Sequence, residues 1–82
     1  MRARKDIERW LCEAVAAISG QQAADIDPRV EFAAYGVDSA SAIVMAGDLE
    51  RWLGVPVDGT ALFEHPSIDR LIVHLMTPPA GR

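Results

Sequence analysis

The sequence predicts an all-α fold: a small four-helix bundle of three main helices and one short helix, with a long loop between helices 1 and 2. Three observations carry this. Apolar residues recur at i, i+3, i+4 and i+7 near the start, the middle and the end of the chain, as in helices with one buried face. The extended stretch Val55-Pro56-Val57 is too short to build a sheet. The single cysteine, Cys12, forbids an internal disulfide, and no metal motif is present, so helix packing alone must hold the domain.

In the first helix, expected over Lys5–Ile18, the residues Ile7, Trp10, Leu11, Ala14, Val15 and Ile18 form the inward stripe. Arg4, Lys5, Glu8, Arg9 and Glu13 lie largely off it, and Cys12 reads as a partly buried, unreactive thiol. Gly20 closes the helix as a residue free to turn left-handed. From Gln21 to Val37 no periodicity persists. Asp25-Ile26-Asp27-Pro28 reads as a turn, because the residue before proline avoids the helical region. Ile26, Val30, Phe32 and Tyr35 are spaced anchors that tack this loop onto the core.

The second helix is expected over Ser39–Leu53, with Ala42, Ile43, Ala46, Leu49 and Leu53 inward and Met45 and Trp52 flanking. Its outward face carries Ala40, Val44, Gly47, Asp48 and Arg51, and Gly54 with Pro56 ends it. Thr60-Ala61-Leu62-Phe63-Glu64 reads as one helical turn capped by Thr60. His65-Pro66 breaks it, and Ser67 caps a last helix whose stripe is Ile68, Leu71, Ile72, Leu75 and Met76. Residues 1–76 form the domain, and Thr77-Pro78-Pro79-Ala80-Gly81-Arg82 has the composition of a linker or tail.

Composition excludes several classes of function. Eighty-two residues, half of them apolar, make one small domain. No apolar run approaches the ~20 residues that span a bilayer. The charged start Met1-Arg2-Ala3-Arg4-Lys5-Asp6 does not read as a signal peptide, and a lone cysteine suits a reducing, cytoplasmic setting. A net charge of −4 argues against nucleic acid and for basic faces on partner proteins; the isolated domain is expected to be a monomer that binds no membrane.

The stretch Tyr35-Gly36-Val37-Asp38-Ser39-Ala40-Ser41-Ala42 organises the rest. Gly36 lets the chain turn sharply, and Asp38 and Ser39 are both good helix caps. A phosphate on Ser39 would sit at the positive end of a helix dipole, worth ~0.3–1 kcal/mol. Taken alone, Asp38-Ser39 is only a cap. A hydrolase elbow, Gly-x-Ser-x-Gly between strand and helix, is excluded because Ser41 stands two after Ser39 and no strand precedes it. His65 and His74 match no zinc spacing.

Over Ile7–Met76 the order of elements resembles acyl and peptidyl carrier proteins. Gly36-Val37-Asp38-Ser39 is similar to that family's attachment motif, with Phe32 upstream where an aromatic is usual. Leu49-Glu50 with Gly54 resembles the exit of its second helix. Leu62-Phe63-Glu64-His65-Pro66-Ser67 resembles a segment typical of modular polyketide synthase carriers. The resemblance implies that Ser39 bears a covalent 4′-phosphopantetheine arm, installed from coenzyme A by a phosphopantetheinyl transferase that recognises Asp38. The arm would hold acyl groups as thioesters and present them to a ketosynthase, an acyltransferase or an acyl-AMP ligase, the domain itself catalysing nothing. Ala40, Val44, Asp48 and Arg51 are the expected partner surface, with Asp38, Asp48 and Glu50 steering it toward basic rims.

One departure stands out: the leucine usual after the serine is Ala40 here. Val44 and Gly47-Asp48-Leu49-Glu50-Arg51-Trp52-Leu53-Gly54 look similar to carriers loaded by fatty acyl-AMP ligases. The alternatives are a peptidyl carrier of a nonribosomal peptide synthetase, whose motif more often has two glycines, and an unmodified helical adaptor.

Overall fold

The computed structural model describes residues 2–77, and among them the architecture is helical throughout. Helix α1 spans Arg4–Ser19, α2 Ser39–Leu53, α3 Ala61–Glu64 and α4 Ile68–Met76. The expected tail beyond Thr77 lies outside the described residues. No helix among those described is long and apolar enough to cross a membrane.

Helix α1 buries Ile7, Leu11 and Val15 completely and packs against α4. Cys12 and Ala16 join that face, whereas Ile18, expected inward, is 38% exposed. Ile18 points nearly the same way as Ile7 but lies in the last turn of α1, where it lines a groove with Ala40, Ser41 and Val44 of α2. Burial raises the pKa of the Cys12 thiol, and the charges of Glu8, Asp69 and Glu13 add to the rise, so the thiolate is disfavoured.

Helix α2 has the expected bounds, but its inward face is Ala42, Met45, Ala46, Leu49 and Leu53. Ile43 is 55% exposed and Met45 is 4% exposed, the reverse of the expectation. The cause is local. Residues 42–46 are all apolar, so periodicity cannot choose a face within them, and packing decides. Small Ala42 and Ala46 permit close approach of neighbouring elements, and Met45 fills the gap beside them. At the far end of this helix Trp52 stacks on Trp10 with centroids 5.6 Å apart, and the Arg2 guanidinium lies 4.4 Å from the Trp52 ring centroid.

The last two helices begin differently. Thr60 precedes α3 but makes no side-chain cap bond. The Asp58 carboxylate instead accepts from both the Thr60 N–H and its hydroxyl, each at 3.1 Å. Ser67 does cap α4, its hydroxyl accepting from the Arg70 N–H at 3.3 Å. Ile68, Leu71 and Ile72 are buried, while Met76, expected on the stripe, is 44% exposed because the last turn runs past the end of the core.

The long loop folds into two 3₁₀ turns, Ala23–Asp25 and Phe32–Tyr35. Ile26 and Phe32 are buried as expected, and Val30 and Tyr35 are half-buried. The Tyr35 hydroxyl accepts from the Asp27 N–H at 2.8 Å. Two further bonds stitch the loop to the α3–α4 corner: Phe32 N–H to the Pro66 carbonyl at 2.8 Å and Asp69 N–H to the Pro28 carbonyl at 3.0 Å. The loop is thus part of the domain's frame and fixes where α2 starts.

Candidate functional site

The site begins with the turn into α2. Gly36 ends the second 3₁₀ turn at φ 85°, a left-handed conformation that a side chain disfavours. A Cβ there would meet nothing within 4 Å, so backbone conformation and not space demands the glycine. Val37 then anchors the turn: it is buried, and its N–H bonds the Phe32 carbonyl at 3.2 Å. Asp38 stands extended at the cap position, and its Oδ1 accepts from the Ser41 N–H at 2.8 Å. That backbone bond, with a further contribution from the Ser41 side chain, holds the Asp38 carboxyl below the usual carboxylate range.

Of the two candidate caps, the structure therefore assigns the role to Asp38. Ser39 is the first helical residue, exposed, and its hydroxyl takes no hydrogen-bond partner among the described residues. A serine so placed offers an unencumbered oxygen beside the free N–H groups of a 15-residue helix.

The other expected site residues are split between two faces. Ala40, Val44 and Asp48, spaced by four, line one groove with Ala14, Ala17 and Ile18 of α1. Val44 is 61% exposed, and Asp48 is ion-paired with Arg51, which joins the group from one turn on. Glu50 is not part of this surface. It sits two residues from Asp48 on another side of the helix, where its Oε1 accepts from the Val57 N–H at 2.9 Å.

On the opposite flank of α2 a smaller recess is lined by Phe32, Val37, Ala42, Leu62, Phe63 and Pro66. Phe63, 51% exposed, forms part of its rim. The sequence reading missed this recess and missed the stacking of His65 on His74, whose ring centroids are 4.0 Å apart. The two histidines lie on different elements with no helical relation between them, so spacing carried no signal. Among the described residues no cluster of three or more His, Cys, Asp or Glu side chains is arranged to hold a metal.

With this geometry in hand, comparison with known proteins decides the family. The profile described as "Phosphopantetheine attachment site" matches residues 9–75, most of the chain. The chain belongs to this family. The carrier is 33% identical over 73 residues to a phenolphthiocerol/phthiocerol polyketide synthase protein of Mycobacterium tuberculosis, covering 89% of this chain and 4% of that protein. It is 28% identical to the acyl carrier protein TtuC of Teredinibacter turnerae, over 82% of this chain and 77% of the relative. The carrier thus spans a small part of the large synthases it matches and most of the free-standing relative.

Solved structures agree in fold. An acyl carrier protein from Anabaena with a variant phosphopantetheinylation-site sequence matches with a TM-score of 0.79 and 32% identity, over 89% of this chain and 83% of that one. A free-standing peptidyl carrier protein from Acinetobacter baumannii matches with a TM-score of 0.79 and 29% identity, over 88% and 90% of the two chains. The protein is a carrier of the acyl carrier type with polyketide synthase relatives, in a family of generally non-catalytic domains that bear covalent 4′-phosphopantetheine. The free hydroxyl of Ser39 at the start of α2, with the capping duty taken by Asp38, fits a phosphodiester at that position.

Proposed function

We propose that Ser39 is the attachment residue and that this carrier presents acyl thioesters to the enzymes of a polyketide-type assembly. The observation that carries the reading is the division of labour at the start of α2: Asp38 spends its side chain on the Ser41 N–H, and Ser39 spends its own on nothing. A serine needed as a cap could not also be esterified without cost to the helix. Here the two roles fall on separate residues.

In the modification, Ser39 Oγ forms a bond to the phosphorus of coenzyme A that bears pantetheine. The pyrophosphate P–O bond breaks, adenosine 3′,5′-bisphosphate leaves, and the serine proton passes to the transferase or to solvent. Once bound, the group supplies a thiol that holds acyl chains as thioesters. Asp38 offers the transferase a negative charge beside the reacting oxygen, and Ala40, Val44, Asp48 and Arg51 form the contact surface for partners. In keeping with the resemblance to carriers loaded by acyl-AMP ligases, a long-chain acyl-adenylate is expected to load the carrier faster than a malonyl-type extender.

The test compares the wild type with Ser39→Ala. Loss of all thioester loading, with the helical circular dichroism and thermal melt kept, is the expected result. Loading that survives the substitution removes Ser39 from the role. Equal or reversed rates for the two acyl donors remove the acyl-AMP ligase assignment while leaving the attachment reading in place.

A further inference from the structure

The turn that carries Ser39 contains its own hinge. Gly36, held at φ 85°, separates Tyr35 from Val37, and a glycine has more conformational freedom to lose than any other residue. On the Ser39 side the turn is fixed by the buried Val37 side chain and by the Val37 N–H on the Phe32 carbonyl. On the other side of the hinge stands Tyr35.

Tyr35 ends the Phe32–Tyr35 turn, and its half-buried side chain packs against the core. Its hydroxyl accepts from the Asp27 N–H at 2.8 Å, from eight residues away along the loop. Asp27 is a firm anchor. Its carboxylate is occupied by Arg29, accepting from the backbone N–H at 2.9 Å, from Nε at 3.2 Å and from a terminal guanidinium nitrogen at 3.1 Å. Its carbonyl accepts from the Val30 N–H at 3.0 Å. The next residue, Pro28, accepts at its carbonyl from the Asp69 N–H in the first turn of α4, also at 3.0 Å. The Asp27–Pro28 corner is therefore tied to α4. Among the described residues, the Tyr35 hydroxyl makes the only side-chain hydrogen bond between that corner and the Phe32–Tyr35 turn.

We propose that Tyr35 is a positioning residue for the modification of Ser39: its hydroxyl braces the Gly36 hinge against the Asp27–Pro28 corner and keeps the turn in the shape the transferase binds. The inference rests on Ser39 being the attachment residue. Tyr35 acts through the turn, from four residues before the reacting oxygen. A target whose competent shape is populated only part of the time binds with its affinity reduced by that fraction. Loosening the hinge therefore raises KM for the carrier. Once docked, the turn is held by the transferase itself, so kcat does not change.

The experiment measures initial rates of modification against carrier concentration, at saturating coenzyme A, for the wild type, Tyr35→Phe and Leu53→Ala. Phenylalanine keeps the ring and removes only the acceptor. Leu53→Ala trims the core at the far end of α2 from Ser39, and reports what lost stability alone does. The expected KM of Tyr35→Phe is about two- to tenfold above the wild type, the factor that one net hydrogen bond supplies, with kcat kept. Leu53→Ala melts lower and keeps the wild-type KM. Amide exchange gives a second reading: the Asp27 N–H is protected in the wild type, and Tyr35→Phe speeds exchange at Asp27, Gly36 and Val37 but not in α1. An unchanged KM, a fall in kcat alone, or a rise in KM that Leu53→Ala shares overturns the proposal. So does an Asp27 N–H that exchanges freely in the wild type, a result that depends on no variant folding. A wild type that gains no mass at Ser39 fails earlier and speaks against the attachment reading, so the two failures are told apart.

Discussion

At the scale of single residues, Asp38 does the most for the site. Its carboxylate holds the Ser41 N–H, and the bond keeps its pKa low. A group whose folded pKa is depressed adds stability that is fully present above its unfolded pKa and is lost as pH falls through the folded value. The stability that Asp38→Ala removes should therefore be complete at neutral pH and should vanish on acidification from about pH 4 downward, near the ordinary aspartate range. Thermal melts of the two proteins at a series of pH values check this; a gap that persists in acid contradicts it. Asp38→Asn separates capping from charge, because asparagine caps about as well. That variant should melt close to the wild type and yet be modified more slowly by the transferase.

At the scale of elements, the sequence was legible where a stripe was regular and opaque where it was not. The bounds of α2, the closing glycines Gly20 and Gly54, and the Ser67 cap all follow from local chemistry, and the structure has them where the sequence places them. The inward face of α2 does not follow, because five consecutive apolar residues fit more than one face and only the neighbouring elements choose between them. Met45→Ala should therefore cost about 2–5 kcal/mol, as expected for truncation in a core. Ile43→Ser, on the exposed side, should change stability by no more than ~0.5 kcal/mol. Urea denaturation of both variants decides, and the opposite order would restore the face first read from spacing. The placing of the Phe32–Tyr35 turn and the histidine stack were illegible for a different reason: each involves contact between separate elements, such as Phe32 N–H to the Pro66 carbonyl and His65 on His74.

At the scale of the whole molecule, the proposed function gives the net charge of −4 and the exposed apolar groove beside Ser39 a use in brief encounters. On that proposal, long-range attraction would bring a basic partner near, and contact with apolar surface would follow once it docks. The steering charges nearest the site are fewer than composition implied, since Asp48 is paired with Arg51 and Glu50 bonds the loop after α2. Raising salt should still slow transferase modification, and a rate independent of salt would refute steering. The fold was legible almost throughout, and so was the family, because the Asp38-Ser39 turn, the long loop and the short third helix occur together in order. What no composition or spacing could disclose was which of Asp38 and Ser39 caps the helix. The most direct test of the central claim is intact mass, with fragment localisation, after incubation with coenzyme A and a broad-specificity transferase. A single phosphopantetheine-sized increase located on Ser39 and absent from Ser39→Ala is the predicted result; a folded protein with no increase, or with the increase on another residue, would contradict it.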